Sequence, residues 1–164
     1  MMLVRHLEEG DYGRVSPVMD DWWGGRPVRH LLPRLFFQHF ADTSFAATQG
    51  DELVGFLVGF RSQSQPAVAY VHFVGVSPAA RGKAIGRTLY RRFFAAVRAL
   101  GCTEVRCITS PVNAGSIAFH ARLGFAVLPG NGAHDGVPVA LDYAGPGQHR
   151  VLFSRALQAQ DDGA

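Results

Sequence analysis

The chain has 164 residues, 48% of them hydrophobic and 18% charged, with a formal net charge of +3. That length suits one domain, and that balance supports a buried core and excludes a disordered tail. No run of eighteen apolar residues occurs, and charge at Arg5, Glu8 and Glu9 interrupts the N-terminal stretch too early for a signal peptide, so the expected compartment is the cytoplasm.

Met2 to Leu7 reads as an opening strand. Asp11 to Trp23 predicts a helix that breaks at Gly24-Gly25-Arg26-Pro27. Val28 to Phe40 resumes helical spacing, with Leu31, Leu32, Leu35, Phe36 and Phe40 on one side and Pro33 near the first turn. Strand patterns follow over Ser44 to Thr48, Leu53 to Arg61 and Ala67 to Val76, separated by turns at Gln49 to Glu52 and Ser62 to Pro66. Ile85 to Leu100 gives the clearest helix, with Ile85, Leu89, Phe93, Val97 and Leu100 as one apolar stripe and Gly101 as the residue that ends it. Glu104 to Thr109 is a further strand, and Asn113 caps a helix that stops at Gly124. Phe125 to Leu128 and Arg150 to Phe153 are the last strands, with a Gly/Pro-rich loop from Pro129 to His149 between them; a loop of that length is functional or mobile.

Cys102 and Cys107 make no disulfide framework and read as small buried hydrophobes. The histidines are scattered without ligand spacing, so no metal site is expected. Lys83 is the only lysine, every other cation being arginine. A mildly basic balance fits nucleic acid and fits a phosphate-rich cofactor equally well.

The strongest chemical signal is Val76-Ser77-Pro78-Ala79-Ala80-Arg81-Gly82-Lys83-Ala84-Ile85-Gly86-Arg87, where a strand ends, a turn of small residues follows and a long helix begins. The first N–H groups of a helix have no partner inside it and carry the positive end of its dipole. Small residues at Gly82, Ala84 and Gly86 allow a phosphate to approach that backbone, and Arg81, Lys83 and Arg87 surround it with positive charge. The competing reading is a plain glycine-rich turn between strand and helix.

This segment resembles motif A of the GNAT superfamily of N-acetyltransferases, Gln/Arg-x-x-Gly-x-Gly/Ala, with Arg81 and Gly86 at its first and last positions and Ala84 where glycine is usual. Asn113-Ala114-Gly115-Ser116-Ile117-Ala118-Phe119-His120-Ala121-Arg122-Leu123-Gly124-Phe125 is similar to the family's motif B. The resemblance implies an α/β (α+β) fold: a mixed, mostly antiparallel sheet of about six to seven strands, splayed between its central strands and flanked by about four helices. It also implies acetyl-CoA as the acyl donor. Phe73, Val74, Gly75 and Val76 would pair with the pantetheine arm, Arg81 to Arg87 (Ile85 included) would cradle the pyrophosphate, and Asn113 and Ser116 would help to hold the arm. His120 stands where many relatives carry a tyrosine that protonates the departing thiolate, which makes it a candidate acid.

Acetyl transfer to an amine needs a base for the ammonium proton and an N–H for the developing oxyanion. His72 is the candidate base, expected on the same strand face as Val74 and Tyr70, the latter a further catalytic candidate; the family resemblance implies an oxyanion donor in the backbone near Val74. A hydrogen-bonded strand histidine without chemistry is the alternative for His72. For the acceptor, Asp20, Asp21, Trp22 and Trp23 offer charge and ring faces to a cationic amine, and Tyr143 lies in a loop able to close over it; a solvated helix end is the plainer reading of the first four. The expected activity is direct transfer from acetyl-CoA to a small-molecule or peptide amine. A non-catalytic acyl-CoA-binding module and a tRNA- or nucleic-acid-associated acetyltransferase are the alternatives, the last supported only by arginine content. Family resemblance also makes a homodimer the expected assembly if the chain is not monomeric.

Overall fold

A computed structural model describes residues 1–163. Strands β1 (Met2–His6), β2 (Phe45–Gln49), β3 (Glu52–Arg61) and β4 (Val68–Val76) form an antiparallel meander. Strand β5 (Glu104–Thr109) lies parallel to β4, and the sheet is completed in the order β1-β2-β3-β4-β5-β9-β6 by β9 (Val151–Ala156) and β6 (Ala126–Val127). The seven-stranded, mostly antiparallel sheet is the one expected from the sequence.

Helix α4 (Ile85–Ala99) covers one face of the sheet, with Ile85, Leu89, Phe93 and Val97 buried at four-residue intervals. Leu100, expected to extend that stripe, is 47% exposed because it stands at the end of the helix, where Gly101 takes φ 93° and turns the chain away. Helix α5 (Ala114–Arg122) shares the core of this face through Ile117 and Phe119. Its start is capped as expected, the Asn113 side chain accepting from the Ser116 N–H at 3.0 Å.

The opposite face carries three short helices: α1 (Tyr12–Val15), α2 (Met19–Trp22) and α3 (Leu35–His39). Their apolar residues pack on Phe56 and Val58 of β3. The two continuous helices expected here are instead strings of single turns. Ser16–Val18 is a 3-10 turn around Pro17, which lacks the N–H that a continuing helix requires. Arg29–Leu31 is another, and the chain leaves it at Leu32 (φ −127°, ψ 73°), where the following Pro33 disfavours helical backbone. The buried positions change accordingly: Leu32 and Phe37 are in the core, while Leu31 and Leu35 are exposed.

The segment from Pro129 to His149 is less irregular than expected. It contains a hairpin of β7 (Gly132–His134) and β8 (Val137–Val139), and Ala140 bridges to Arg150 at the foot of β9. The cysteines are free and buried, Cys107 in β5 and Cys102 just before it. No described helix is long and apolar enough to cross a membrane.

Two irregularities in the sheet create the site. First, β4 and β5 pair only through Val68–Glu104, Ala69–Val105 and Tyr70–Arg106. Beyond Tyr70, β4 continues to Val76 with β3 as its sole strand partner, so the two parallel strands part toward their C-terminal ends. Second, β4 carries one extra residue opposite β3: Val71 is paired with Gly59 and Phe73 with Val58, leaving His72 as a bulge. Ala69 and Val71 before the bulge pack toward α4, as do Val74 and Val76 after it. Phe73 belongs to the other face, and a Cβ on Gly75 would meet the Trp23 indole.

Candidate active site

The gap between β4 and β5 opens into a cavity of about 940 Å³. Its walls come from the end of α2, the free edge of β4, the turn into α4, the C-terminal half of β5 and the inner side of α5. Of the residues singled out from the sequence, Tyr70, His72, Phe73 to Val76, Arg81, Gly82, Ala84 to Arg87, Asn113, Ser116, His120, Trp22 and Trp23 all line it. Lys83, Asp20, Asp21 and Tyr143 do not.

The turn into α4 explains its own geometry. Gly82 has φ 82° and Ala84 has φ 60°, both in the left-handed region, and Ala84 is the residue that precedes the helix. Ala84 has no side-chain oxygen to cap the first N–H groups, so those donors are left for a ligand. Gly86 sits so close to α5 that a Cβ there would approach Phe119 to 3.0 Å. Arg81 does more than supply charge. Its guanidinium donates to the Trp22 carbonyl at 2.7 Å and the Val76 carbonyl at 3.3 Å, tying the end of α2 to the end of β4.

His72 points its Nε2 at the Leu31 carbonyl, 2.6 Å away, and its ring stacks on Phe36 with centroids 4.4 Å apart. A carbonyl only accepts, so Nε2 holds the hydrogen of the neutral ring and Nδ1 keeps a lone pair. Burial pushes the His72 pKa below the ordinary histidine value, against the opposing pull of the Leu31 carbonyl. The bulge corrects the expected face-sharing. Tyr70 stacks on Phe60 and His72 on Phe36, whereas Val74 turns toward α4. Burial raises the Tyr70 pKa above that of a free phenol, so its hydroxyl stays protonated.

His120 is 4% exposed, and both of its ring nitrogens have partners. Nδ1 lies 2.8 Å from the Ser116 carbonyl, one helical turn back, and must donate to it. Nε2 lies 2.7 Å from the hydroxyl of Tyr90 and therefore accepts from it. Burial lowers the His120 pKa, so the ring is neutral and has no N–H to spare. Tyr90, on α4, escaped the sequence reading because it follows the apolar stripe; its hydroxyl is the one feature distinguishing it from a core phenylalanine. Beside it, burial pushes the Cys107 thiol up to about 12, which leaves no thiolate at neutral pH.

The acceptor residues read from the sequence divide. Trp22 and Trp23 form wall, stacked or tilted on Phe56 at 6.0 Å. Asp20 serves the backbone instead: one carboxylate oxygen accepts from Val28 N–H at 2.8 Å and Arg29 N–H at 2.9 Å. Tyr143 is 51% exposed outside the wall.

A sheet parted between parallel strands, with a glycine-rich helix start at the mouth of the gap, is the frame of a coenzyme-binding acyltransferase fold. The model for the acetyltransferase (GNAT) family matches residues 6–125, and the chain belongs to that family. L-2,4-diaminobutyric acid acetyltransferase of Nocardia farcinica is 32% identical over 89 residues, covering 54% of this chain and 46% of that protein. The chain thus spans about half the length of that relative. Among solved structures, Ard1 from Thermoplasma volcanium aligns with TM-score 0.78 at 16% identity, over 96% of this chain and 98% of that one. Diaminobutyrate acetyltransferase of Paenibacillus lautus, solved with L-2,4-diaminobutyric acid and coenzyme A, aligns with TM-score 0.71 at 22% identity, over 96% and 95%. At these identities the likeness to the solved structures is one of fold.

Proposed function

We propose that the protein is an acetyl-CoA-dependent N-acetyltransferase that acetylates an amine by direct attack in a ternary complex. The observation that carries this reading is the parted β4–β5 edge running from uncapped helix N–H groups at Ala84 to a neutral histidine at the β4 bulge. Phosphates suit the α4 end, where Arg87 supplies charge and Gly82 supplies room. An extended pantetheine arm suits the strand edge, since β4 from Val71 to Val76 has backbone groups without a strand partner on that side. Asn113 and Ser116 border the same gap.

Acetyl-CoA supplies an acyl group activated as a thioester. His72 takes the proton that the amine loses as its nitrogen bonds to the acyl carbon; Nδ1 is the receiving atom. The C–S bond breaks, and the thiolate is protonated from solvent. We carry no proton through His120, whose two nitrogens are occupied, and none through Cys107, which remains a thiol. A β4 backbone N–H near Val74 is our candidate for the oxyanion.

The test begins with melting temperature against acetyl-CoA, with ATP as control, followed by thiol release with a panel of amines. At one hundred times the dissociation constant the ligand adds about 2.7 kcal/mol, a shift of several degrees. A shift with acetyl-CoA and thiol release dependent on an amine and on His72 support the assignment. Binding without turnover on any amine would make the chain a binding module instead.

A further inference from the structure

The cavity wall includes five arginines, Arg26, Arg81, Arg87, Arg122 and Arg150, and among the described residues no aspartate or glutamate. Among the described residues none of the five has a carboxylate within 4.0 Å, although other arginines, such as Arg5 and Arg155, are paired with aspartates. The sheet divides them. Arg81, Arg87 and Arg122 belong to the turn and helices where the coenzyme phosphates fit. Arg26 follows α2 on the opposite face, and its Nε donates only to the Trp23 carbonyl at 3.3 Å. Arg150 precedes β9, in which Val151 and Phe153 are buried toward α4; by strand alternation Arg150 belongs to the other face, with Leu152. Its guanidinium donates only to the neighbouring His149 carbonyl. The same half of the cavity is otherwise apolar and aromatic, with Trp22, Trp23, Val28 and Leu31 beside His72.

We infer that the acceptor is an amine that also bears a carboxylate, joined through an apolar or aromatic body, and that Arg150 and Arg26 receive the carboxylate. This rests on the acetyltransferase reading above and names its substrate class. A polyamine or aminoglycoside would meet two uncompensated positive charges and no acid to hold its other ammonium groups. A carboxylate would meet guanidinium donors suited to bind it, with Leu31 and the tryptophans packing on the carbon skeleton. The acidic pair that first suggests a cationic acceptor is not available, since Asp20 is committed to backbone N–H groups and neither Asp20 nor Asp21 is on the wall.

The probes are L-phenylalanine and phenethylamine, which differ by the carboxylate alone, with spermidine as the polycation. With acetyl-CoA saturating, kcat/KM is expected to be at least about tenfold higher for L-phenylalanine than for phenethylamine, the scale of one charge-assisted hydrogen-bond pair. Arg150→Gln and Arg26→Gln should each reduce that ratio through KM, Arg150→Lys should keep part of it, and the acetyl-CoA dissociation constant should be the same in all. A parallel measurement needs no turnover: N-acetyl-L-phenylalanine should raise the melting temperature of the CoA-loaded protein, N-acetylphenethylamine should not, and Arg150→Gln should abolish the difference. Equal treatment of the two members of each pair overturns the inference. So does preference for spermidine, or loss of acetyl-CoA affinity in Arg150→Gln, which would assign that arginine to the coenzyme. Absence of thiol release with every amine would count against the acetyltransferase reading alone, and the melting comparison would still decide the carboxylate.

Discussion

The hydroxyl of Tyr90 donates to Nε2 of His120 at 2.7 Å, joining α4 to α5 inside the core behind the cavity. Tyr90 is fully buried and His120 nearly so, and each relies chiefly on the other. Tyr90→Phe leaves Nε2 without a donor, and His120→Phe leaves a buried hydroxyl with only the weak Cys107 Sγ acceptor 4.0 Å away. Each single change is expected to cost about 1–3 kcal/mol in urea unfolding, and the double variant less than the sum. Additive effects would mean that the bond contributes nothing beyond packing.

Acid should weaken the fold from the histidines outward. His72 and His120 both have folded pKa values below the ordinary value of about 6.5, so above it neither affects stability through protonation. As pH falls through that value the unfolded chain takes up the protons first. Stability is therefore present at neutral pH and is lost progressively below it, down to the folded pKa values. Melting temperature should fall between pH 7 and pH 5, and His120→Phe should flatten part of that slope. The same depression predicts that the acid limb of kcat/KM lies below pH 6.5 and disappears in His72→Ala together with most of the rate.

Ala84 holds a left-handed backbone at φ 60°, where a Cβ is strained. Ala84→Gly should stabilise the protein by about 1 kcal/mol and raise the melting temperature by about 3 °C. Because the helix N–H groups keep their positions, acetyl-CoA affinity should hold or improve. A lower melting temperature would show that the methyl packs favourably enough to offset its strain.

Gly75→Ala tests the other wall. A Cβ there would lie 2.6 Å from the Trp23 indole and 2.9 Å from Phe56, so the indole must move. Overpacking of this kind costs about 1–3 kcal/mol. The amine KM should rise more than the acetyl-CoA dissociation constant, and Trp23 fluorescence should change.

The sequence disclosed the cofactor end of the molecule more fully than the acceptor end, for physical reasons. Ile85, Leu89, Phe93 and Val97 repeat at the helical period and Gly82 and Gly86 mark the turn, so the β4–α4 unit is written in composition and spacing. Residues 11–40 lack such a signal. Their turns are 3-10 or single α turns around Pro17 and Pro33, and apolar residues at near-helical spacing cannot reveal that the helix never continues. Asp20 read as a free carboxylate because its partners, the N–H groups of Val28 and Arg29, are brought back by that same irregular path. Tyr90 was hidden inside a stripe of core residues, and its partner His120 comes from another helix.

The extra residue in β4 behaves as a phase slip in the strand. Upstream of His72 the odd-numbered positions, Ala69 and Val71, belong to the α4 core; downstream the even-numbered ones, Val74 and Val76, do. Pairing the strand with His72 counted in, and no bulge, would do what a one-base insertion does to a reading frame. Flattened into the ladder, His72 would take the place that Phe73 holds opposite Val58, driving Phe73 into the core and Val74 out toward the acceptor wall for the rest of the strand. A position-by-position comparison with a strand lacking the insertion would therefore mistake wall for core, unless the count is restarted at His72.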